Sequence, residues 1–245
     1  MSPAEHDILR AAEDTHWWYA VLHRLVLLEM QARVPNGASV LDAGCGTGGM
    51  MSQLKNWDMH GIDLSPAAIS HCQQRGLKQV QCASVHDLPF ETASFDCVLS
   101  LDVLYHEQIH EAQALDEMVR VLKPGGIMIL NLPAFECLRG SHDRAVCGVR
   151  RYTACHVRER LLFHSLEVDM IHYWNAWLFL PLLVWRQRTR QRAADPQRSD
   201  LRQPPFWLNQ ALTHLGWLDA RLCRRLRFPL GSSLFSVAQL TPTAS

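Results

Sequence analysis

The sequence predicts an α/β fold organised on a parallel, doubly wound sheet, and three observations carry that prediction. The first is the stretch SVLDAGCGTGGMMSQLKNWDMHGIDLS, residues 39–65, where a short apolar strand, a glycine-rich loop, a helical run and a second strand follow one another. The second is the continued alternation of apolar strand-like runs with helical ones as far as residue 132. The third is FDCVLSL at 95–101, which is apolar enough for a strand buried on both faces.

Taken in order, residues 1–36 form an N-terminal helical segment. Ala, Leu, Glu, Arg and Met dominate residues 3–33, which are expected as helix, with Trp18, Leu22, Leu25 and Val26 at helical spacing and Glu29 closing a short apolar stripe. The cluster His16-Trp17-Trp18-Tyr19 reads either as an aromatic anchor or as a lid over a substrate cavity. Pro35-Asn36-Gly37 breaks the helix.

Residues 37–172 form the expected ligand-binding core. Val40 and Leu41 begin the first strand, Asp42 stands at its end, and Gly44, Gly46, Gly48 and Gly49 precede a helical run opened by Met50 and Met51. A strand over 59–62 then ends in Asp63. Pro66 suits the first turn of a helix reaching about Arg75, with Ser65 as its cap and Gly76 as its stop. Strands follow at 79–82, 95–101 and 127–132, with a helix at 107–121 and a Lys123-Pro124-Gly125-Gly126 turn. In such a sheet the ligand sits at the strand C-termini.

The glycines alone leave the ligand open. Gly44, Gly46 and Gly49 satisfy a dinucleotide-type G-x-G-x-x-G, whose pyrophosphate needs a bare helix N-terminus. Gly44, Gly46 and Gly48 after Asp42 equally satisfy D-x-G-x-G-x-G, and Asp63, about 20 residues on, suits ribose hydroxyls.

Composition narrows the classes. At 245 residues the chain is expected to form one domain with insertions, or one and a half, and Lys plus Arg (24) balances Asp plus Glu (24), so no overall charge argues for nucleic acid. The eight cysteines form no C-x-x-C and MSPAEHDILR has no apolar signal character, so reduced thiols and a cytoplasmic protein are expected. His142, Cys147, Cys155 and His156 match no common zinc spacing, so no metal is expected.

The motifs VLDAGCGTGG, GIDLS, DLPFETASFDCVLSLDVLYH and LKPGG, in this order, resemble the class I S-adenosylmethionine (SAM)-dependent methyltransferases, small-molecule and lipid branch. The resemblance covers about residues 38–133. It implies a Rossmann-like, seven-stranded sheet whose last strand is antiparallel, with 166–171 and 234–240 as strands six and seven. It also implies SAM as cofactor. Asp42, Gly44, Cys45 and Gly46 would hold its methionine part, Asp63 its ribose, Leu64, Ser84 and Val85 its adenine, and Leu101 would line the methyl-donor site. Ser84 replaces an Asp common in relatives, which weakens that acceptor.

Asp102-Val103-Leu104-Tyr105-His106 follows the fourth strand directly, at the reacting edge of the sheet. His106 is the candidate base, with Tyr105 beside it; the alternative is a histidine that packs or caps the next helix. Trp18, His142, Arg150, Arg151 and Tyr152 are the candidate acceptor-binding residues. The arginines suit an anionic acceptor, or else close their own loop on acids such as Asp143. A related subgroup carries Gly-His where this chain has Cys147-Gly148.

Residues 173–230 are expected as a helical, apolar and basic insertion before a final strand and tail at 231–245. YWNAWLFLPLLVW at 173–185 is too short to span a bilayer, and arginines follow it. It suits peripheral membrane contact, an active-site cover or a homodimer face. The expected function is methyl transfer from SAM to a small or lipid-like, anionic and amphiphilic acceptor. The alternatives are a SAM-binding regulator without transfer activity and a nicotinamide-dependent oxidoreductase.

Overall fold

In the computed structural model, which describes residues 3–140, 143, 147–189 and 204–241, the strands form one seven-stranded sheet. They are β1 (Ser39–Ala43), β2 (Asp58–Asp63), β3 (Val80–Cys82), β4 (Phe95–Leu101), β5 (Leu122–Pro133), β6 (Leu166–Trp174) and β7 (Ser233–Leu240). The order is β3-β2-β1-β4-β5-β7-β6. The pairs from β3 through β5 are parallel, and β7 runs antiparallel between β5 and β6.

Strand side chains alternate between faces, and this period sorts the core into two layers. Val40, Cys97, Leu99, Ile127 and Ile129 face one layer, closed by α2 (Trp17–Arg33) and α7 (Phe206–Leu226). Leu41, Val98, Met128, Leu130 and Leu132 face the other, closed by α4 (Glu111–Val121) and α5 (Ala154–Phe163). Val21, Leu22, Leu25, Val26 and Met30 of α2 are buried, each contributing roughly 1.5–3 kcal/mol of hydrophobic stabilisation. Glu29, at the end of this stripe, is buried too and pairs with Arg33 at 3.0 Å and Arg224 at 2.8 Å.

The remaining helices are α1 (Pro3–Thr15), α3 (Pro66–Gln74) and α6 (Ala176–Thr189). Ser65 caps α3 through Ala68 N, and Gly76 follows it with a φ of +83°. The single helix expected over 3–33 is two. His16 is extended between them and its Nδ1 accepts from Trp18 N at 3.3 Å. Asn209 of α7 holds the break open, donating to Thr15 O at 2.7 Å and accepting from Trp17 N at 2.9 Å. After the glycine loop the expected helical run is only a 3-10 turn, Met51–Gln53. The helix expected from 107 starts at Glu111, and Glu107, Gln108 and Ile109 before it line a cavity.

Candidate active site

A cavity of about 820 Å³ opens above the C-terminal ends of β1, β2 and β4. Its floor is the glycine loop. Gly44 has a φ of +98°, and a Cβ there would lie 2.3 Å from Val103 Cγ2, so only glycine lets the loop pass this close to the β4 exit. Gly46 N donates to Asp63 Oδ2 at 3.0 Å, and Ser65 N donates to Asp63 Oδ1 at 2.8 Å. The carboxylate at the end of β2 is thereby fixed beside the loop. Cys45, Leu64, Ser84, Val85 and Leu101 also line the cavity; Leu64 is 59% exposed, while Val85 is buried. Ser84 Oγ lies 3.1 Å from His86 Nδ1 and accepts from His86 N at 3.2 Å.

Asp42 is the group most out of balance. It is buried, lines the cavity, and its Oδ1 has no hydrogen-bond partner. Burial, then the nearby Glu13 and Asp63 carboxylates, push its pKa up to about 8. An orphaned buried carboxylate oxygen is costly unless a ligand donor completes it.

Asp102 follows β4 with a φ of +56°. Asn131 Nδ2 donates to its Oδ2 at 2.7 Å, and Trp174 Nε1 donates to Asn131 Oδ1 at 3.0 Å, so a buried polar chain fixes this carboxylate. Burial raises its pKa to about 7, against the opposing Asn131 bond and Arg151 charge. Tyr105 and His106 line the same cavity with rings stacked at 4.3 Å. A Cβ on Gly148 would lie 2.7 Å from the Tyr105 ring, so the missing histidine of the related subgroup falls where the backbone already supports Tyr105. Burial raises the Tyr105 phenol as well.

The expected acceptor residues are placed differently. Trp18 does not line the cavity: it stacks on Trp174 at 5.4 Å within the α2–α7 layer, and its neighbour Tyr19 faces the cavity instead. The Arg151 side chain is enclosed and donates to Asp143 at 2.7 and 3.2 Å and to Ala134 O at 3.0 Å. Arg150 donates to Ile109 O at 2.9 Å and faces Glu111 at 3.7 Å. Tyr152 is fully buried, its hydroxyl donating to Leu104 O at 3.0 Å. These three close the loop after β5 onto the body and do not present themselves to the cavity. His142 lies outside the described residues.

Several lining residues carry no sequence signal of their own. Glu13 reaches from α1 into the glycine loop, accepting from Gly49 N at 2.8 Å, Thr47 N at 3.3 Å and the Thr47 hydroxyl, with Arg75 at 3.5 Å. Tyr19, Leu22 and His23 line the cavity from α2, and burial lowers the His23 pKa to about 4. Asp102 was legible, since it directly follows an apolar strand at the edge where such sheets bind ligands. Among the described residues the lining holds five carboxylates (Glu13, Asp42, Asp63, Asp102 and Glu107) and no Lys or Arg.

Residues 41–130 match the family described as "Methyltransferase domain". The chain is 30% identical over 210 residues to the dimethylglycine N-methyltransferase of Parasynechococcus marenigrum (strain WH8102), covering 79% of this chain and 69% of that one. The chain belongs to the class I SAM-dependent methyltransferases. It is also 33% identical over 105 residues to a tRNA (carboxymethyluridine(34)-5-O)-methyltransferase of Arabidopsis thaliana, but that match covers 42% of this chain and only 26% of the relative's length. A SAM-dependent methyltransferase of Thermotoga maritima shares the fold, with a TM-score of 0.61, 15% identity, and coverage of 97% of this chain and 96% of that one.

The family's cofactor fits the residues present. The unpartnered Asp42 Oδ1 suits the ammonium of SAM, and the room kept by Gly44 suits close backbone approach to its methionine part. Among the described residues no helix is long and apolar enough to cross a membrane.

Proposed function

We propose that this methyltransferase transfers a methyl group to a small acceptor that is neutral or carries an amine near the reacting atom. The observation that carries this reading is the cavity itself: a SAM-type set (Asp42, Gly44, Cys45, Gly46, Asp63, Leu64) shares it with Tyr19, Asp102, Tyr105 and His106. Bound SAM supplies a methyl group already activated on a sulfonium. The chain's part is therefore to align the partners, exclude water and take up a proton where the acceptor bears one.

In this reading Asp42 holds the ammonium, Asp63 the ribose hydroxyls, and Leu64, Ser84 and Val85 the adenine. Leu101 lines the methyl-donor position. His106 takes the acceptor's proton, with Tyr105 stacked against the ring to hold its orientation. The absence of Lys and Arg from the described lining favours a neutral or amine acceptor over an anionic one. Arg150 and Arg151, the groups suited to an anionic head, are already bonded to Glu111, Ile109, Asp143 and Ala134. The name of the Parasynechococcus relative, a dimethylglycine N-methyltransferase, supports the amine part of this reading.

The test is turnover of methyl-labelled SAM against two acceptor panels, small amines and alcohols in one, prenyl phosphates and fatty acids in the other. Label appearing in the first panel and falling roughly 10²–10⁴-fold in His106→Ala, with SAM affinity retained, is the expected result for a protonated nucleophile. Transfer confined to the second panel would refute the acceptor class. SAM binding with no transfer to any acceptor would favour a regulator.

A further inference from the structure

The outer face of α7 is built the wrong way round for a helix that serves only its own core. Its inward line is small: Gly216, Ala220 and Cys223 are buried, and a Cβ on Gly216 would come within 3.0 Å of Val21 and 3.4 Å of the Trp17 ring. Its outward line is large. Leu215, Leu218, Leu222 and Leu226 recur at spacings of three and four residues and are 43, 55, 47 and 62% exposed. Trp207, on the same side a little over two turns before Leu215, is 71% exposed, and Phe206 is 80% exposed. Phe228 and Leu230 continue the apolar surface past the helix end at 47 and 40%. A soluble amphipathic helix turns its large apolar residues inward. Here close packing of small residues on α2 fixes the leucine stripe outward, so the exposure belongs to the folded core and not to a loose element.

Charge selects what covers this stripe. Arg221 and Arg225 run along one edge of it, and Arg227 follows the helix. The one acid in α7, Asp219, is turned inward, accepting from Ala176 N at 3.2 Å and Trp177 N at 3.3 Å. The outer face thus carries leucines, tryptophan and arginines with no carboxylate. A second copy docking through the same face would bring no acid to these arginines. An anionic lipid surface supplies both an apolar layer for the leucines and negative headgroups for the arginines. We propose that α7 is an in-plane docking helix for an anionic bilayer surface, with Trp207, Leu215, Leu218, Leu222 and Leu226 entering the acyl boundary and Arg221 and Arg225 meeting the headgroups. No helix among the described residues is long and apolar enough to cross the bilayer, so the contact is peripheral. The stretch expected from sequence to provide such contact, 173–185, is divided: Tyr173, Trp174 and Phe179 are buried and Trp177 packs against Trp17, while Leu180, Val184 and Trp185 are exposed. This proposal does not depend on the acceptor class or on transfer activity.

The experiment is flotation of the purified full chain with vesicles of phosphatidylcholine alone and of phosphatidylcholine with phosphatidylserine. Binding to the anionic vesicles that weakens with added salt is expected. Arg221→Gln with Arg225→Gln should weaken it about thirtyfold, the equivalent of two headgroup contacts of about 1 kcal/mol each. Leu218→Glu with Leu222→Glu should abolish it. SAM affinity and circular dichroism should hold in both variants, which separates lost docking from lost folding. Equal flotation with neutral and anionic vesicles, or none with either, overturns the proposal. So does a dimer that Leu218→Glu with Leu222→Glu converts to monomer, because then a second copy covers the stripe.

Discussion

Asp42 allows a prediction that joins ligand affinity to pH. In the ligand-free protein its carboxyl is pushed up to about 8 by burial and by Glu13 and Asp63, so near neutrality it is mostly protonated. Holding the ammonium of SAM requires the carboxylate. Below about pH 8 binding must therefore expel a proton, at a cost of about 1.4 kcal/mol for each pH unit. SAM affinity should rise roughly tenfold per unit up to about pH 8 and then level off until the ligand's own ammonium titrates. Asp42→Asn removes a charged hydrogen bond, a loss of about 1.5–3 kcal/mol above pH 8. At about pH 6.5 the wild type already bears about 2 kcal/mol of deprotonation cost, so the two proteins should bind almost equally there. Calorimetry near that pH, in two buffers of different ionisation enthalpy, should show about one proton released per SAM bound by the wild type and none by the variant. Stability moves oppositely. A raised native carboxyl pKa means that the native state holds more protons than the unfolded one, so ligand-free stability falls as pH climbs from about 4 to about 8. Asp42→Asn should therefore have the higher Tm at pH 8 and lose that advantage toward pH 4. A SAM dissociation constant that is flat across this range in the wild type, with no proton release, would refute the assignment of Asp42 to the ammonium.

The other expectations are simpler. Gly44→Ala places a Cβ 2.3 Å from Val103 Cγ2 at a φ of +98°, so it should reduce SAM binding below detection in calorimetry while circular dichroism stays near wild type. Asp63→Ala should weaken SAM binding by about 1.5–3 kcal/mol, and because Gly46 N and Ser65 N lose their acceptor, hydrogen exchange at both amides should quicken. Arg151→Ala strips the buried Asp143 carboxylate of its paired guanidinium, leaving the Gly140 N bond and the Arg186 charge, and should cost about 3 kcal/mol in urea unfolding with SAM affinity unchanged; a lowered acceptor affinity without loss of stability would return Arg151 to the acceptor site.

What the sequence alone determined about this protein is what local backbone chemistry dictates. The order strand, glycine loop, strand, acid over 39–63 is readable because a tight turn beside a ligand needs glycine and because apolar runs of strand length leave few other folds. Ser65 with Pro66 at the start of α3 was legible because helix ends are written by nearby residues. Direction in space was not. Adjacent residues on a helix point about 100° apart, so the sequence placed the aromatic cluster on a helix but only its packing on Trp174 decided that Trp18 turns to the core and Tyr19 to the cavity. Asn209, far along the chain, decided that helix formation is interrupted at His16. Glu13 reaches the glycine loop across 34 residues of sequence, and no local pattern encodes such a reach. Arginines suited to an anion are equally suited to Asp143 and Glu111, and the sheet's geometry chose the carboxylates already within reach. Charge and spacing describe what a side chain can bind; the tertiary structure decides which partner arrives first, because burial makes an unpaired group costly and the nearest complement removes that cost.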